Sequence, residues 1–198
     1  MEGSRVFLLL LSLLFLIKTW FAGTLAVGRN SLADEQQRFV LATNGDMLLT
    51  FRSQAPPEFF VARVNTLGHL VWGKEIGDGG GENDYAMSMM ETRTGEIILT
   101  GFSTSLSGDS GNSGFVMKMS SDGNILWTKY ITSGTLVAAA ELPNGNYVVT
   151  GNMVVLNAYE QDCVFAILAS NGDLVEGVHS YQSNGSQECD SIVVASEN

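Results

Sequence analysis

Apolar residues in this chain come in short runs or in alternation with polar ones, and each run is bounded by Gly, Asn, Asp or Ser. Beyond residue 26 the spacing of an amphipathic helix is missing, so the pattern predicts strands and hairpins. Proline occurs only at Pro56, Pro57 and Pro143, all between runs, as strands require.

A shift of fifty positions brings three phrases into register. They are Asn44-Gly45-Asp46-Met47-Leu48-Leu49-Thr50, Thr94-Gly95-Glu96-Ile97-Ile98-Leu99-Thr100 and Asn144-Gly145-Asn146-Tyr147-Val148-Val149-Thr150. Each reads as a hairpin turn entering a strand covered on both faces. A second Gly turn follows in each unit, at Gly68, Gly123 and Gly172, after strands at Phe59 to Val64, Phe115 to Met119 and Val164 to Ala169. A further strand precedes each first turn: Phe39 to Thr43, Tyr85 to Glu91 and Leu136 to Leu142. The expectation is an all-β protein of four-stranded antiparallel meanders, with units over 36–82, 83–133 and 134–188 and the start of a fourth at 189–198. In that fourth unit Asp190 to Glu197 aligns with Asp84 to Glu91.

One meander cannot bury both its faces, so units must stack, and strand twist turns the stack about an axis as in a propeller. Gly101 and Gly151 follow the repeated Thr and predict close backbone approach; Phe51 stands there in the first unit. Three units and one strand fall short of the four to eight blades of a closed ring. Completion by further blades or by self-association is therefore expected, since an open arc leaves apolar faces in water.

The stretch from Glu91 to Gly101 followed by Phe115 to Lys129, with Asp122-Gly123-Asn124 and Trp127 inside it, resembles the exported β-propeller repeats of bacterial and some eukaryotic surface proteins. Gly68 to Trp72 and Gly123 to Trp127 are distantly similar to the tryptophan docking motif of quinoprotein blades. The resemblance implies propeller blades, with Trp72 and Trp127 packing between them; the third unit has Glu176 at that position. Such repeats speak to fold more than to function.

The first residues change the picture of where the protein works. Arg5 precedes an apolar run from Val6 to Ile17, then Lys18, and small residues end at Ala26. That run spans about 18 Å as a helix, short of the roughly 30 Å of a bilayer core, so residues 1–26 read as a signal peptide and 27–35 as a linker. Left uncleaved, the segment would reach membrane length only by burying Lys18. The expected location is secreted or cell-surface, extracellular or periplasmic.

The net charge of −11 repels phosphate backbones and anionic lipid, which argues against nucleic acid as a partner. In an exported chain Cys163 and Cys189 can form a disulfide, or stay as two buried thiols. Asn184-Gly185-Ser186 is a glycosylation acceptor for Asn184 if the source is eukaryotic.

Candidate chemistry is sparse. Asp78, Glu82 and Asp84 on the Gly-rich stretch 77–84 offer oxygen ligands for calcium, though their spacing matches no EF-hand and a solvated connection explains them too. Gly108-Asp109-Ser110-Gly111 resembles the nucleophile phrase of trypsin-like proteases, but Asn112 follows and neither His69 nor His179 has the context of that family's base. The two histidines lack neighbours at metal-ligand spacing. No catalytic set or cofactor site is indicated, so the sequence favours a binding or structural module that meets a protein or glycan partner through its loops. The alternative is part of a larger propeller hydrolase, lyase or quinoprotein with its active site in other blades.

Overall fold

A computed structural model describes residues 38–52, 59–77, 84–104, 113–154, 161–181 and 185–195. Within them the chain is all-β. The first sheet comprises β1 (Arg38–Leu41), β2 (Met47–Arg52), β3 (Phe59–Val64) and β4 (Leu70–Ile76). The second comprises β5 (Asp84–Glu91), β6 (Ile97–Ser103), β7 (Ser113–Met119) and β8 (Ile125–Thr132). The third comprises β9 (Gly134–Glu141), β10 (Tyr147–Val154), β11 (Gln161–Leu168) and β12 (His179–Tyr181). Each is an antiparallel meander whose strands pair in chain order, and none of the three closes on itself. No helix among the described residues is long and apolar enough to cross a membrane.

Local chemistry accounts for the hairpins. In the first turn of each unit the glycine amide donates back to the residue three before it, as from Gly45 to the Ala42 carbonyl at 2.8 Å, and Gly45, Gly95 and Gly145 hold φ of 86°, 81° and 83°. That left-handed conformation is costly for other residues, which is why a glycine recurs every fifty positions.

The sheets stack face to face, and the core lies between them. Between the first and second sheets Leu48, Phe59 and Val61 meet Ile97, Leu99, Phe115, Met117 and Met119. Between the second and third, Ile98 and Val116 meet Leu136, Tyr147, Val149, Ala166 and Leu168. The second sheet is buried on both sides: Ile97, Ile98 and Leu99 are all fully buried although they alternate between the two faces.

Gly101 and Gly151 sit at matching bulges. Between Ala86 and Ser88 the β5 register slips by one residue against β6, and between Leu136 and Ala138 the β9 register slips likewise against β10. A Cβ on Gly101 would overlap the Tyr85 carbonyl oxygen, and one on Gly151 the Thr135 carbonyl oxygen. In the first sheet Phe51 holds the matching position, next to Thr50, which pairs with Arg38, the first described residue.

The third unit departs from the expected pattern. After Gly172 there is a bridge between Leu168 and Leu174, and the expected fourth strand is β12, paired through Phe165 with His179 and Cys163 with Tyr181. Residues 190–195, aligned with β5 and β9, belong to no strand here; Ile192 and Val194 are half-buried while Ser191, Val193 and Ala195 are exposed.

Candidate functional site

The most elaborate chemistry among the described residues is the joint between sheets, which is built twice from equivalent parts. Trp72 on β4 lies against the Gly123 turn of the next sheet, so closely that a Cβ on Gly123 would come within 2.8 Å of the ring, and its indole N–H donates to the Ser121 carbonyl at 2.9 Å. One unit later Trp127 on β8 lies against Gly172 in the same way and donates to the Ser170 carbonyl at 3.2 Å. The two tryptophans are thus packing residues between neighbouring sheets. Only a residue without a side chain leaves room for the ring.

Beside each tryptophan is a part-buried ion pair that the sequence reasoning missed. Arg63 on β3 bonds Asp46 through Nε at 2.8 Å and reaches the same Ser121 carbonyl at 3.4 Å. Lys118 on β7 pairs with Glu96 at 2.6 Å, reaches the Ser170 carbonyl at 3.5 Å and lies over the Tyr147 ring at 5.6 Å. The base and acid side chains are only 11% and 13% exposed in the first joint and 8% and 30% in the second. The Arg63 hydrogen bond, helped by Asn44, holds the Asp46 carboxyl below its ordinary 3.8. Burial pulls the Lys118 ammonium down, but Glu96 and Tyr147 outweigh it and the net shift is upward from 10.5. Both groups therefore stay charged near neutrality.

The third element is a carboxylate cap. Glu91 at the end of β5 accepts the Thr43 amide of the preceding sheet at 2.6 Å, and Glu141 at the end of β9 accepts the Arg93 amide at 2.7 Å. The signal for both polar devices lay in the repeat itself. An acid after each turn glycine and a base on each third strand recur at matching positions in the first two units.

The importance of the ion pair can be measured. Lys118→Ile alone leaves Glu96 without its cation and should cost about 1–2 kcal/mol, whereas Lys118→Ile with Glu96→Asn should fall within about 1 kcal/mol of the native protein. These are the residue types the third unit carries at Ile167 and Asn146. Urea unfolding of the four-member mutant cycle checks this, and a coupling near zero would make the pair a bystander.

The remaining sequence candidates do not converge. Asp84 is buried at the start of β5 and accepts the Ser103 hydroxyl at 2.6 Å, whereas its proposed calcium partners Asp78 and Glu82 lie outside the described residues. Asn184 and residues 108–111 also lie outside them. Among the described residues no group of three or more His, Cys, Asp or Glu could hold a metal ion. His69 is exposed in a hairpin turn; His179 stacks on Phe165 at 4.9 Å, with Nε2 3.3 Å from Glu176. A crevice lined by Thr50, Phe51, Arg52, Phe59, Tyr85 and Ala86 measures about 10 Å³, room for a water at most.

Cys163 on β11 and Cys189 are joined by a disulfide, with Cα atoms 5.2 Å apart.

Together these features define a class: an all-β protein of three stacked four-stranded antiparallel sheets, latched by tryptophan, ion pair and carboxylate. No protein-family model matches the chain, and no curated protein matches it.

Proposed function

We propose that this is an exported protein of the propeller-repeat type, whose sheets are blades and whose role is to bind or scaffold rather than to catalyse. The observation that carries the proposal is the joint itself: the buried chemistry goes into holding one sheet on the next, and the same parts are used twice. Blades so stacked present their connections between second and third strands at equivalent places, after Arg52, Ser103 and Val154. The connections from Ser103 to Gly114 and from Val154 to Asp162, in which 105–112 and 155–160 lie outside the described residues, are our choice for the contact with a protein or glycan partner, because connections on a rigid repeat scaffold are free to vary in chemistry. A leader at residues 1–26 and a disulfide both suit an oxidising, extracellular or periplasmic setting. Further blades or a second copy would cover the outer faces of the stack.

The test uses protein lacking residues 1–26, assayed for binding to intact cells and glycan arrays, beside variants in which 105–112 or 155–160 is replaced by Gly-Ser of equal length. Saturable binding that falls at least about tenfold in a loop variant, with unchanged circular dichroism and melting, is the expected result. Binding that ignores both replacements, or turnover of a substrate by the isolated chain, would overturn it.

A further inference from the structure

The third sheet has lost the non-covalent latches that the first two carry. Where Thr43 and Arg93 give an amide N–H to the carboxylate of the next sheet, the third unit has Pro143, which has no N–H to give. Asp46 with Arg63, and Glu96 with Lys118, are replaced by Asn146 with Ile167, and Trp72 and Trp127 by Glu176. The register confirms the equivalence: Leu48 pairs with Arg63, Ile98 with Lys118 and Val148 with Ile167. Yet the face remains apolar. Val148 and Phe165 stand where the fully buried pairs Leu48 and Val61, and Ile98 and Val116, meet the next sheet, and Phe165 is 43% exposed.

What this face has instead is covalent. Cys163 shares it with Phe165 and Ile167, two and four residues along β11, and its partner Cys189 begins the segment that aligns with β5 and β9. In the two joints already described, that strand lies against the preceding sheet: β5 against β1, β2 and β3, and β9 against β5, β6 and β7. The tail approaches the third sheet on the same side. The Cys189 amide donates to Asn152 Oδ1 at 2.8 Å, opposite Cys163 in the sheet, and the Gln187 amide to the Gln161 carbonyl at 2.7 Å.

We propose that the Cys163–Cys189 bond replaces the missing latches. It holds residues 189–195 on the outer face of the third sheet, and its reduction frees them and uncovers Val148, Phe165 and Ile167 while the two inner joints stay shut. The step is an exchange with a dithiol: the S–S bond breaks, Cys163 and Cys189 take up two electrons and two protons as thiols, and the reductant leaves as a cyclic disulfide. The device is a redox-dependent cover, and it does not depend on what the loops bind.

Hydrogen exchange followed by mass spectrometry on the oxidised protein lacking residues 1–26, with and without dithiothreitol, tests it, with Cys189→Ser as a reductant-free equivalent. Protection of amides 186–195 should fall at least about tenfold, with increased exchange at β10 and β11 and unchanged exchange in β2, β3, β6 and β7. Binding of a fluorescent apolar dye should rise in parallel. Unchanged exchange at 186–195 after confirmed reduction would mean the segment is held without the bond. Loss of protection across all three sheets would mean the bond supports the whole stack. Either result overturns the proposal. Cys163→Ser, which removes the bond from the other side, guards against an effect peculiar to one variant.

Discussion

Gly101→Ala should lower the stability of the protein by about 3 kcal/mol, because the added methyl group overlaps the Tyr85 carbonyl oxygen and comes within 2.9 Å of the buried Phe115 ring. Neither obstacle can move cheaply: one is backbone within the bulge and the other is in the core between the first two sheets. The β5 strand has to part from β6 for the methyl to fit. For a chain of this size the melting temperature should drop by about 6–12 °C. Gly95→Ala separates this effect from backbone strain, since Gly95 has φ of 81° but open space around its Cβ position. It should cost about 1–2 kcal/mol. Thermal denaturation of the two variants side by side checks the ordering, and equal losses would show that the close approach at Gly101 is not what selects glycine there.

Trp127→Ala should have a comparable effect in a different place. It removes the ring from the Gly172 turn, the indole hydrogen bond to Ser170 and the contact with Tyr147 at 6.3 Å. Full truncation of a buried aromatic costs about 3–5 kcal/mol, and the half-buried position of Trp127 places the expected loss near 2–3 kcal/mol. In a stack each sheet is stabilised by its neighbours, so the loss should fall on the joint between the second and third sheets. Hydrogen exchange should quicken in β9 to β11 and remain slow in β2 and β3. Trp72→Ala should give the mirror result, loosening the first sheet. A uniform loss of protection from either variant would show that the stack unfolds as one unit and that the joints are not separable.

Much of the fold was legible in the residues. The turn glycines, the strands after them and the four-strand units could all be read along the chain, because a hairpin involves only neighbours and the left-handed turn position admits few residue types. That Trp72 and Trp127 pack between units was what their likeness to a tryptophan docking motif implied, not something the residues showed by themselves. The last strand of the third unit was legible as present but not in its exact place: after a bridge at Leu174 the chain pairs again at His179–Tyr181, and Glu176 stands where Trp72 and Trp127 dock in the other units. The ion pairs were not foreseen, although their members recur at fixed positions, because a Lys or Arg on a strand is ordinarily a solvated side chain.

The chain by itself determined the number and order of strands, the antiparallel pairing within each unit and the left-handed turn positions that glycine fills, since all of these are set by contacts within a hairpin or a single unit. Tertiary structure alone decided which sheet faces are joined and by what. Trp72 meets the Ser121 carbonyl 49 residues away, and Cys189 meets Asn152 across 37. Such partners carry no local signature, because a backbone carbonyl looks alike at every position until folding brings one particular turn beneath one particular ring.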